Sequence, residues 1–169
     1  ALNPGTFLMP ASNMKVVTMA AAAERLGWDF TFTTKVVATG RVEGGVLKGD
    51  LVVVGSGDPS LGGRPTEGPS VVERWADQIR ARGITRVQGR LVGHDNVFDD
   101  EGLGQGWAWD YLAYGHAAPV GGLAFHENVV RLSFAPGAAP GDPVAVAARP
   151  AGSGLSLDAA VATAAADGA

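Results

Sequence analysis

Ser12-Asn13-Met14-Lys15-Val16-Val17-Thr18-Met19-Ala20-Ala21-Ala22-Ala23-Glu24-Arg25-Leu26-Gly27 is the clearest helix signal in the chain. A proline stands just ahead of it, strong helix formers fill its second half, and a glycine follows, so it predicts a helix ending at Leu26 with Gly27 as the stop. Four consecutive alanines let neighbouring backbones come close, which points to a buried central helix rather than a surface one.

The same stretch carries the strongest candidate for chemistry. On a helix Ser12 and Lys15 lie on one face about a turn apart, within potential hydrogen-bond reach. A serine in the first turn also meets the partial positive charge and free amides of a helix N-terminus, which favour an alkoxide and an oxyanion. A lysine beside a buried serine can give up its proton and act as the base of an acyl transferase. The bland alternative makes Ser12 an N-cap and Lys15 a solvated residue, and a bare Ser-x-x-Lys occurs by chance in about half of chains this long. Position weighs against it, because a lysine in the first turn opposes the helix dipole.

Outward from the helix, Phe30 to Ala38 and Leu47 to Val54 read as strands, with Gly40 to Gly45 as the hairpin loop between them. Gly55-Ser56-Gly57-Asp58-Pro59 punctuates the chain. Ser70 can cap a second helix with Val71, Val72, Trp75 and Ile79 on one face and Gly83 as its stop, and Val87 to Val92 is a third strand. The stretch from Asn96 to Gly122 sets Trp107, Trp109, Tyr111 and Tyr114 among glycines and reads as a functional loop or a lid. Leu123 to Phe134 alternates as a strand, and Val144 to Ala148 pairs back on it. The fold class is α+β.

Composition limits what such a chain can do. It has 169 residues, a formal charge of −4, 46% hydrophobic and 18% charged residues, which is globular and argues against a nucleic-acid partner. The 25 glycines and 10 prolines call for a fold rich in turns. No cysteine is present, which excludes disulfides, thiolate metal sites and cysteine nucleophiles together. No apolar run approaches the roughly 18 residues of a membrane span. His94, His116 and His126 lack metal-ligand spacing, and Gly55-Ser56-Gly57 does not complete a phosphate loop, so neither a metal nor a cofactor is expected.

Phe7-Leu8-Met9-Pro10-Ala11-Ser12-Asn13-Met14-Lys15, followed by Ala21-Ala22-Ala23, Leu26-Gly27 and Phe32-Thr33-Thr34, resembles the D-alanyl-D-alanine carboxypeptidase/endopeptidase family of low-molecular-mass penicillin-binding proteins. Gly45-Val46-Leu47-Lys48-Gly49-Asp50-Leu51, Gly57-Asp58-Pro59-Ser60-Leu61, Gly106-Trp107-Ala108-Trp109-Asp110, Ala118-Pro119-Val120 and Glu127-Asn128-Val129-Val130 look like further landmarks in the family order. The resemblance implies part of a penicillin-recognising, serine transpeptidase-like domain over residues 1–60. Residues 61–122 would be an inserted α/β domain and 123–169 a second, mainly β insertion.

It further implies Ser12 as nucleophile on the D-Ala-D-Ala carbonyl, Lys15 as general base, and Asp110 as a substrate-binding residue, with Tyr111 where many relatives carry another acid or amide. Peptidoglycan peptides and β-lactams would be the partners, on the outer side of the cytoplasmic membrane. The Ser-x-Asn and Lys-Thr-Gly elements that the family needs do not occur here, so the resemblance implies an internal fragment, inactive by itself. The competing readings are a catalytically silent binding or structural module and, more distantly, a relative of serine β-lactamases.

Overall fold

The computed structural model describes residues 3–63 and 68–166. The chain divides into two compact units, Ala1–Phe32 and Thr33–Ala169.

In the first unit a 3-10 turn, Ala11–Asn13, runs directly into helix α1, Met14–Leu26. Gly27 ends it as expected, with φ at 82° and its amide donating to the Ala23 carbonyl at 3.0 Å. The expectation of a buried helix is not met: no residue of α1 is buried, and Val16 and Met19 stay 68% and 70% exposed. Among its described residues the unit holds this one α-helix, a 3-10 turn and irregular chain, with no sheet to lay against the alanine face. The strand expected from Phe30 also shrinks to β1, Lys35–Ala38. Phe30 and Phe32 pack edge to face at 5.2 Å instead, and pairing begins only where Lys35 meets Val54.

The second unit is built on a bent hairpin. Strands β2 (Arg41–Glu43) and β3 (Val46–Lys48) pair through a two-residue turn in which Gly44 and Gly45 take φ of 55° and 80°, angles that glycine adopts without steric cost. Strand β4 (Leu51–Val54) then pairs antiparallel with β1. The run 47–54 is therefore two strands rather than one, and the expected loop 40–45 contains a strand. The bend falls at Gly40 and Gly49, where the two backbones approach so closely that a Cβ on Gly40 would collide with the Lys48 carbonyl.

Helix α2 (Val71–Ala81) crosses over from β4, and the chain returns as β5 (Arg86–Val87) parallel to β3 and β6 (Leu91–His94) parallel to β4. The expected strand 87–92 is thus also split, at Gly89, which lies against the Gly49 carbonyl. Two three-stranded sheets result, in the orders β1-β4-β6 and β2-β3-β5. Leu47, Leu61, Ile84 and Ala117 are buried. Trp75 and Ile79 of α2 line one pocket with Val36 and Leu51 of the sheet; Val71, Trp75, Ala76 and Ile79 are partly covered, whereas Val72 is half exposed.

Asp50 clamps the bend. Its carboxylate accepts the Arg90 amide at 2.9 Å and the Arg90 guanidinium at 2.8 Å, while its own amide donates to the Thr39 hydroxyl at 3.1 Å. The side-chain hydrogen bond from Arg90 is the main reason its carboxyl titrates below the usual Asp range. A carboxyl depressed in the folded state stabilises above its unfolded pKa, and that contribution is lost as pH falls through the lower folded value. Asp50→Asn is expected to lower stability at neutral pH and to flatten the acid limb of an unfolding titration below about pH 4. An acid limb identical to that of the parent protein would show that Asp50 contributes nothing there.

The start of α2 follows its sequence signal. The Ser70 hydroxyl accepts the Glu73 amide at 3.2 Å and the Glu73 carboxylate accepts the Ser70 amide at 2.7 Å, a reciprocal capping box. The Ser70 amide holds the Glu73 carboxyl below its ordinary range. Ser70→Ala should cost about 1 kcal/mol, read as a lower urea midpoint at unchanged slope.

Beyond β6 the chain is irregular as far as residue 130, with 3-10 turns at Trp109–Tyr111, Gly115–Ala117 and His126–Asn128. The strand expected from Leu123 begins only at β7, Arg131–Ala135. What displaces it is a left-handed run at His126, Glu127 and Asn128, with φ of 49°, 58° and 53°. Asn128 holds this run by accepting the Phe125 amide at 3.2 Å and donating to the Pro119 carbonyl at 3.0 Å. Strand β8, Ala145–Arg149, pairs back on β7 as expected.

Candidate active site

Ser12 sits in the 3-10 turn that feeds α1, and Lys15 is the second residue of the helix. The Lys15 Nζ donates to the Ser12 Oγ at 3.1 Å. The hydroxyl caps nothing: the N-cap position of α1 belongs to Asn13, and neither Pro10 nor Asn13 makes a side-chain cap bond. The first turn also holds no acidic residue to complement the dipole. A cation thus stands in the least favourable turn of the helix, bonded to the one hydroxyl there, and both side chains are exposed.

Chemically the pair is reversible. When the amine is charged it donates to the serine; when neutral, its lone pair accepts the hydroxyl proton across the same separation and leaves an alkoxide at the positive end of a 13-residue helix.

Asp110 lies in the second unit, on the exposed 3-10 turn Trp109–Tyr111. Trp109 is 84% exposed, and the nearby Tyr114 and His116 rings stack at 5.4 Å. Gly55-Ser56-Gly57 is structural: the Ser56 hydroxyl accepts the Thr33 amide at 3.0 Å, and the Gly57 amide donates to the Gly122 carbonyl at 2.7 Å. Among the described residues no three His, Asp or Glu side chains gather as a metal site would require, and no helix is long and apolar enough to cross a membrane.

One juxtaposition was not singled out from the sequence. The register of β7 and β8 sets Arg131 directly opposite Arg149. The signal was available in outline, since the two arginines open and close segments that flank the Pro136-Gly137 and Pro140-Gly141 turns, but only a known register makes them neighbours.

Residues 2–169 match the D-Ala-D-Ala carboxypeptidase 3 (S13) family. The chain is 35% identical, over 84% of its length, to the D-alanyl-D-alanine carboxypeptidase of an Actinomadura strain, of which it spans 26%. Among solved structures it resembles penicillin binding protein 4 (dacB) from Haemophilus influenzae, with a TM-score of 0.72 and 30% identity over 85% of this chain and 30% of that one. The same protein complexed with a β-lactam matches with a TM-score of 0.54 and 26% identity over 83% of this chain and 27% of that one.

Proposed function

Because this chain belongs to the D-Ala-D-Ala carboxypeptidase 3 (S13) family, we propose that it carries the nucleophile and base of a serine-type D-Ala-D-Ala carboxypeptidase, Ser12 and Lys15. The observation that carries the reading is the 3.1 Å bond between Lys15 Nζ and Ser12 Oγ at the head of α1. Neutral Lys15 takes the hydroxyl proton as Ser12 Oγ attacks the carbonyl carbon of the D-Ala-D-Ala amide. The tetrahedral intermediate collapses with cleavage of the C–N bond, the departing amine of D-Ala takes up a proton, and an ester remains on Ser12. Water hydrolyses that ester and returns the serine.

Peptidoglycan stem peptides are the substrates under this reading, and a β-lactam, whose carbonyl imitates the scissile amide, forms a lasting ester on the same oxygen. That the Haemophilus relative was solved complexed with a β-lactam supports β-lactam binding under this reading. Such substrates lie outside the cytoplasmic membrane, which places the protein there. Asp110, exposed on its turn, is assigned to reading the peptide stem. Under this reading residues 1–60 belong to the catalytic domain, 61–122 to an inserted α/β domain and 123–169 to a second, mainly β insertion. The chain spans about a quarter to a third of the relatives it matches, so the activity is that of the longer protein.

The test is to label that protein with a fluorescent penicillin and map the adduct by peptide mass spectrometry. An adduct on the peptide containing Ser12 supports the assignment. Labelling at another serine, or none while D-Ala release proceeds, overturns it.

A further inference from the structure

A cleft of about 580 Å³ in the second unit is lined by Arg131, Arg149, His126, Glu127 and Val129. We propose that this cleft binds a phosphate or carboxylate group, gripped between the guanidinium groups of Arg131 and Arg149.

The first observation is the register. Arg131 and Arg149 are direct cross-strand partners, so both side chains project from the same face of a two-stranded ladder. Like charges in that relation destabilise a β pair, and here they stand at the open end of the ladder of β7 and β8. Among the described residues neither guanidinium has a carboxylate partner, since the ion pairs found there are Arg80–Asp77 and Arg90–Asp50. An oxyanion between the two guanidiniums relieves their repulsion. The planar fork of each arginine suits phosphate and carboxylate oxygens, which a pair of lysines would not match as well.

The second observation is the way the opposite wall is built. His126 is held at a left-handed φ of 49° at the head of the run His126-Glu127-Asn128, although non-glycine residues seldom adopt that conformation. Its amide donates to the Leu61 carbonyl at 2.9 Å, its ring meets Phe125 edge to face at 4.7 Å, and Asn128 ties the run to Pro119. Three consecutive residues in a costly backbone region are thus tied at both ends to two other segments, at Leu61 and Pro119, a pattern that recurs where a wall must be held rigid for a ligand. The imidazole supplies a further donor to the cleft. Among the described residues Glu127 is the one carboxylate in the lining, exposed and outnumbered by the arginines. The volume lies within the range of small-ligand pockets.

The test uses the whole protein that carries this chain, titrated separately with inorganic phosphate and with succinate at constant ionic strength and followed by calorimetry and NMR. Saturable binding of at least one probe, weakened tenfold or more by Arg131→Gln and by Arg149→Gln, is expected. Each variant should be at least as stable as the parent in the absence of anion, because the repulsion has been removed. Chloride at the same ionic strength should not compete. Phosphate binding without succinate binding assigns a phosphate ligand, and the reverse assigns a carboxylate. No saturable binding of either probe, or unchanged affinity in the double variant, overturns the proposal. So does a lower unfolding temperature of the anion-free variants, which would mean that the arginines serve the fold instead.

Discussion

Ser12→Ala in the protein that carries this chain abolishes covalent labelling by penicillin. The residue is exposed, and among the described residues its hydroxyl neither caps α1 nor bonds to any group but Lys15, so the substitution removes an oxygen without opening a cavity or orphaning a buried partner. Alanine is also the better helix former, and stability should change by no more than about 0.5 kcal/mol. What disappears is the atom to which the acyl group would be attached, and no neighbouring side chain in that turn can replace it. A labelling time course on parent and variant at matched concentration, with a thermal melt of each, is the measurement. Persistent labelling of a folded alanine variant would remove Ser12 from its role.

Lys15→Arg lowers the rate of acylation by at least about 10²-fold, the low end for loss of a general base, while leaving the protein folded. Arginine keeps the cation and can still donate to the Ser12 oxygen, so a role confined to orienting the serine or attracting an anionic substrate would survive the change. A base must be neutral part of the time, and a guanidinium is never neutral in a protein. The contrast therefore separates proton transfer from electrostatics. Near-normal acylation by the arginine variant would mean that another group takes the proton. A pH–rate profile adds a second reading, because the limb that reports the free amine should vanish with the lysine.

Both predictions come from features legible in the sequence, because they are local. The end of α1 follows from Gly27, whose φ of 82° costs a glycine nothing, and the start of α2 follows from Ser70 and Glu73, three residues apart. The approach of Ser12 to Lys15 needs only one turn of helix. The pairing of β8 back on β7 was foreshadowed by the turns at Pro136-Gly137 and Pro140-Gly141. The order of landmarks from Phe7 to Val130 pointed to the family to which the chain belongs.

Local patterns failed where one segment's conformation depends on another far along the chain. Leu47 to Val54 is β-prone throughout, and its division into β3 and β4 follows from the close approach of Gly40, Gly49 and Gly89, which lie in three separate connections between strands. Leu123 to Phe134 alternates as a strand should, yet Asn128 reaches back to Pro119 and holds His126 to Asn128 left-handed. The exposure of α1 belongs to the same class, since an alanine-rich face says how closely another surface could approach and not whether the surrounding chain supplies one. The stop of α1 at Gly27, the capped start of α2 and the Ser12–Lys15 spacing are all legible from the sequence, for these depend on neighbours within about one helical turn. The tertiary structure alone decided the bend at Asp50, the register that sets Arg131 against Arg149, and which faces are covered, because strand pairing and burial are interactions between segments far apart in the chain.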